Sequence, residues 1–147
     1  MMARDGYDGH ETALLWWGYA THGEGAGAFQ WTEGFGDYVE LLYAEARGKP
    51  TPWNLGRARE MFLTLPPTAA VALADLKGST PQPLIHGRLP WVMDAVRHEI
   101  GDRAFRSGIR DLFRRYRYRT FTLEQLISTF EHAARPEARE ALRRLFR

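Results

Sequence analysis

Apolar residues recur with a spacing of about 3.6 along almost the whole chain, and no stretch of convincing length alternates with period two. Asp8 and Glu11 stand three apart, as a capping pair does, and predict a first helix from Asp8 that ends before Gly18. Gly18, Gly23, Gly25 and Gly27 predict a loop over 18–27. A second helix carries Trp31, Phe35, Tyr38, Val39 and Leu42 on one face, and Gly48 with Pro50 closes it.

Seven prolines interrupt residues 49–90, where short helices fit around 54–63 and 68–76. Pro90 suits the first turn of a helix carrying Val92, Ala95, Val96 and Ile100, which stops at Gly101. Asp102 caps a further helix with the stripe Phe105, Ile109, Leu112, Phe113 and Tyr116. Thr122 and Gln125 form a capping box ahead of Leu123, Leu126, Ile127 and Phe130, and a last helix opens at Pro136. The pattern predicts an all-α fold in one domain spanning 1–147. It divides into early helices over 8–47, a Pro-rich connector over 48–89 and C-terminal helices over 90–147.

Composition narrows the chemistry. With 147 residues, 44% hydrophobic and 26% charged, the chain has one globular domain's worth of sequence. The lack of cysteine excludes disulfides, thiolate metal sites and a cysteine nucleophile. No apolar run reaches the roughly 20 residues of a membrane span, and the start has no apolar stretch behind Arg4. A soluble, cytoplasmic protein without a membrane partner is expected. Residues 1–87 hold 6 Lys+Arg against 10 Asp+Glu, a net of −4, while 88–147 hold 14 against 8, a net of +6. The arginines fall between apolar positions at helical spacing, as on solvated helix faces, so nucleic acid is not an expected partner.

Two stretches carry candidate chemistry: His10-Glu11-Thr12-Ala13-Leu14-Leu15-Trp16-Trp17-Gly18 and Trp31-Thr32-Glu33-Gly34-Phe35. A His-Glu-x-x-His helix puts two imidazoles on one face for a zinc ion, with the Glu as base toward the bound water. Here Leu14 stands at the second histidine's position. The motif, the eighteen residues between Leu14 and Glu33, Trp-Trp-Gly and Glu-Gly-Phe together resemble the aminopeptidase N family of gluzincin zinc metallopeptidases. A second block is similar to the family over 85–131: His86-Gly87-Arg88-Leu89, then Ile100-Gly101-Asp102, Phe105, and Thr122 to Leu126.

The resemblance implies the helical C-terminal half of a gluzincin catalytic domain, zinc as cofactor and a peptide as substrate. It implies His10 and Glu33 as metal ligands and Glu11 as the catalytic base. His86 falls where the family has the tyrosine that stabilises the oxyanion, with Arg88 and Leu89 replacing Lys and Gly.

Three departures set the functional expectation. Leu14 cannot bind zinc, the oxyanion tyrosine is replaced, and the family's Gly-x-Met-x-Asn segment would lie upstream of the nine residues before His10. An impaired or inactive peptidase that holds zinc weakly is expected. Two alternatives stay open: a working zinc hydrolase with a substitute ligand, for which His22 is the nearest candidate, and an arginine-rich interaction module without enzymatic activity. Trp16, Trp17, Trp31 and Phe35 are expected in the core. If Trp16, Trp17 and Trp31 are left partly uncovered, self-association or a protein partner is expected.

Overall fold

Helix α2 (Ala28–Arg47) is the spine of the structure, a computed structural model that describes residues 7–48, 54–66 and 72–147. Its predicted face is real: Trp31, Phe35 and Tyr38 are buried, with Val39 and Leu42 packed at the margin. Gly48 ends the helix in the left-handed conformation (φ 58°), and its N–H donates to the Ala44 and Glu45 carbonyls.

Against α2 lies α1 (Tyr7–Leu14), followed by a wider π-type turn over Leu15–Ala20. The predicted stop before Gly18 is therefore corrected, since helical structure continues through Gly18. The cause is Thr21, whose N–H and hydroxyl both donate to the Trp16 carbonyl, a step of five residues; the hydroxyl bond is 2.9 Å. The wide turn drives Trp17 into the core and leaves Trp16 outside, 58% exposed, so the expectation of a buried Trp16 is also corrected. Trp17, Trp31 and Phe35 are essentially fully buried, which corrects the idea that Trp17 and Trp31 stand partly uncovered.

The predicted 18–27 loop contains a strand. β1 (Thr21–Glu24) pairs in parallel with β2 (Arg119–Thr122), with Thr21 opposite Arg119 and Glu24 opposite Thr122. Thr21–Glu24 holds no large apolar residue and Arg119–Thr122 only Phe121, so neither strand shows an apolar–polar alternation in the pattern. Trp17 and Trp31 pack on Phe121 from β2, with ring centroids 6.1 and 5.5 Å away.

Asn54 caps α3 (Leu55–Leu63) by accepting from the Arg57 N–H, as the 54–63 expectation required. Residues 67–71 lie outside the described residues, and the remainder of the 68–76 expectation is one 3₁₀ turn at Leu73–Asp75. A second π-type turn (Pro83–Arg88) runs directly into α4 (Leu89–Ile100), so helical structure begins ahead of Pro90. α5 (Asp102–Tyr116) and α6 (Leu123–Ala133) follow, α6 with its Thr122–Gln125 capping box formed. Pro136 opens a 3₁₀ turn that leads into α7 (Arg139–Leu145). The fold is all-α apart from the two-stranded sheet, and no described helix is long and apolar enough to cross a membrane.

Two glycines set how closely the site elements approach. A β-carbon on Gly34 would lie 2.4 Å from the Ile85 carbonyl oxygen, so the Pro83–Arg88 turn presses directly on α2. A β-carbon on Gly36 would lie 2.9 Å from Leu14 Cδ2 and 3.7 Å from His10 Cε1, so α1 lays its inner face there.

Candidate functional site

His10 and Leu14 stand one turn apart on α1 and share its inner face, as i and i+4 must. Both side chains converge over the bare Cα of Gly36. On α2, Glu33 and Asp37 are also one turn apart and face the same space. The His10 Nδ1–H donates to Asp37 Oδ1 at 2.9 Å, and His10 Nε2 lies 3.6 Å from Glu33 Oε2. The Gly34 contact brings in a third element, where the His86 Nδ1–H donates to Asp37 Oδ2 at 2.8 Å. The two imidazole rings are 6.5 Å apart.

Of the residues proposed from sequence, the structure thus gathers His10, Glu33 and His86. Glu11 is exposed, and among the described residues no hydrogen bond or ion pair ties it to the cluster. His22 is exposed on β1, opposite Thr120. The residue that sequence reasoning missed is Asp37, only 7% exposed at its side chain and shared by both histidines. Its signal was present: it lies four residues after Glu33, on the same helix face.

The electrostatics follow from this geometry. The hydrogen bond from His10 to Asp37, aided by Glu33, outweighs desolvation and raises the imidazole from 6.5 to about 10. His10 is therefore an imidazolium at neutral pH.

A zinc ion needs more than this donor set supplies. Catalytic zinc takes three protein ligands and an open position. Here His10 faces Glu33, Asp37 is engaged by His10 and His86 through its two oxygens, and the position one turn after His10 is filled by the carbon side chain of Leu14. Among the described residues no group of three or more His, Asp or Glu is arranged to hold a metal. The residues present do not fit a catalytic zinc.

The sequence matches no family model and no curated protein. The fold does match solved structures. One is an M1 zinc metallopeptidase from Deinococcus radiodurans, 22% identical, with a TM-score of 0.68 over 93% of this chain and 31% of that one. A mutant M1 zinc metallopeptidase from the same organism, bound to a Tyr-Ser-Ala substrate, is 21% identical with a TM-score of 0.71 over 97% and 33%. A two-domain M1 zinc metallopeptidase mutant bound to L-tryptophan is 21% identical, with a TM-score of 0.72 over the same shares. The chain spans about a third of the length of each. It has the fold of the helical C-terminal portion of an M1 zinc metallopeptidase domain.

Proposed function

We propose that this chain is an aminopeptidase-like M1 scaffold whose peptidase activity is impaired or lost. The observation that carries the reading is Leu14, buried against Gly36 on the same face of α1 as His10. A second support is His86, which by the sequence resemblance aligns with the family's oxyanion tyrosine and which is engaged with Asp37. A third is Glu11, the residue aligned with the general base, which faces solvent away from the ion-paired groups. The test is zinc content together with hydrolysis of aminoacyl and short peptide substrates by the purified protein. Far less than one equivalent of zinc and no turnover are expected. Stoichiometric zinc that survives dialysis, with turnover inhibited by chelators, would overturn the reading.

A specific observation favours a second reading, the arginine-rich interaction module. Most α5 arginines are engaged locally: Arg106 with Asp102, and Arg114 and Arg115 with Asp111. Arg103 and Arg110, seven residues apart on the same solvent face, have no acidic partner among the described residues. Association with an acidic protein surface that weakens steeply with added salt would support this reading. Trp16, Tyr19 and Phe29, all exposed, support a protein contact at the opposite end of the chain.

A further inference from the structure

We propose that the solvent face of α5 and the aromatic residues at the start of the β1–β2 pair form one docking surface for an acidic amphipathic helix of a partner protein. Carboxylates seven residues apart on that helix face Arg103, Arg110 and Arg117, and an apolar side chain seats on Tyr118, Tyr19 and Trp16. The proposal rests on the interaction-module reading and names its partner.

Arg103, Arg110 and Arg117 follow at intervals of seven along α5 and its C-cap, so they share one face at a spacing of about 10.5 Å. All three are exposed, and none forms an ion pair among the described residues, whereas Arg106, Arg114 and Arg115 do. A guanidinium without a carboxylate of its own keeps its charge for a second molecule.

The stripe leads into aromatic surface. The Arg117 guanidinium lies 5.1 Å from the centre of the Tyr118 ring. The Tyr118 N–H donates to the Ala20 carbonyl at 2.6 Å, which brings Tyr118 beside Tyr19, and Trp16 stands in the same wide turn with its carbonyl held by Thr21. Tyr118, Tyr19 and Trp16 are all more than half exposed, so two segments about 100 residues apart build one cluster. Among the described residues Tyr118 is the one non-glycine with a left-handed backbone (φ 59°). A side chain there costs energy that glycine would not, and this ring gains no burial in return.

The spacing selects the partner's form, because one carboxylate every seven residues of a helix repeats at the same distance of about 10.5 Å. α5 also carries Asp102 and Asp111, both partly exposed alongside the arginines. They repel a continuous polyanion such as a nucleic acid strand or an anionic membrane, whereas discrete carboxylates on a helix can be placed to miss them. The aromatic cluster lies at one end of the stripe only, which suits a single apolar anchor. A second copy of this chain does not fit. Its acidic pairs seven apart are Glu33–Glu40, where Glu40 is buried and Glu33 faces His10, and Glu124–Glu131, which Arg143 holds.

The test uses the full chain and a synthetic probe, a fluorescent alanine-rich helical peptide with three glutamates seven residues apart and a leucine one turn beyond the last. An isomer distributes the same residues around the helix. Fluorescence anisotropy at low salt should show the first peptide bound about tenfold more tightly than the isomer. Arg103→Gln combined with Arg110→Gln should weaken it about tenfold. Tyr118→Gly should weaken it roughly fivefold without lowering the melting temperature, since glycine takes the left-handed backbone freely. A lower melting temperature with unchanged affinity overturns the aromatic anchor. Equal affinity for the two peptides, both lost with added salt, overturns the register and leaves the interaction-module reading standing. Tighter binding of oligo-dT or of phosphatidylserine vesicles than of the first peptide also overturns the proposal. No binding of any of these probes overturns both the proposal and that reading.

Discussion

The Leu14 side chain rests against the bare Cα of Gly36, so closely that a β-carbon there would lie 2.9 Å from Leu14 Cδ2. Leu14→His would place an imidazole on that spot, beside His10 and on the same side as Glu33. Loss of a group that only supports a ligand costs about 10–100-fold in metal affinity, so gain of a ligand should raise zinc affinity by at least that factor. Leu15 is 60% exposed and points away, so Leu15→His should leave affinity unchanged. Calorimetric zinc titration of both variants checks this; equal affinities would remove the main support for a gluzincin-like arrangement of residues 10–33.

Close approach at the two α2 glycines predicts a ranking. Gly36→Ala meets only the end of a leucine side chain and should cost about 1 kcal/mol. Gly34→Ala meets the Ile85 carbonyl at 2.4 Å and Leu89 Cβ at 2.5 Å, and backbone has little room to step aside. It should cost about 3 kcal/mol or more and loosen the turn that presents His86. Urea unfolding of the two variants reads the order directly, and a larger loss for Gly36→Ala contradicts it.

His10 makes stability pH-dependent in a definite direction. Its folded value, raised to about 10, lies above the ordinary 6.5, so the folded state holds a proton the unfolded chain has released. The contribution is complete below about 6.5 and is lost as pH climbs through about 10. Melting temperature should therefore fall across that interval, and the fall should be shallower in His10→Gln. Parallel slopes in the two proteins would show that His10 is not the group responsible.

At the start of α6, the Thr122 hydroxyl accepts from the Gln125 N–H at 3.2 Å, and the Gln125 side chain accepts from the Thr122 N–H at 2.9 Å. Thr122→Ala should cost about 1 kcal/mol, seen as a melting point lower by a few degrees, whereas Thr122→Ser should be nearly silent.

Long periodic elements were legible in the sequence because burial of one face writes itself into the spacing. The α2 stripe from Trp31 to Leu42, the α5 stripe from Phe105 to Tyr116 and the Thr122 capping box all stand as read. The two strands were not, since their pairing depends on a partner about 100 residues away rather than on local spacing. Trp16 lies outside the core for a related reason: the wide turn set by Thr21 shifts the phase of the helix by one residue, exchanging inside for outside. The candidate site was half legible. His10, Glu33 and His86 follow from spacing and resemblance, but Asp37 required the three-dimensional meeting of three elements.

The β1–β2 pair has a consequence for the newborn chain. Trp31 and Phe121 are 90 residues apart, and Trp17 packs on the same phenylalanine ring. At a synthesis rate of about 5–20 residues per second, Phe121 reaches the peptidyl-transferase centre about 5–20 s after Trp31. Until then two tryptophans on the emerging polypeptide have no cover from β2, and the cross-chain pairing that seats them closes a long loop. Each translating ribosome therefore displays this aromatic segment for many seconds, which makes it a ready client for chaperones that hold apolar stretches until β2 arrives.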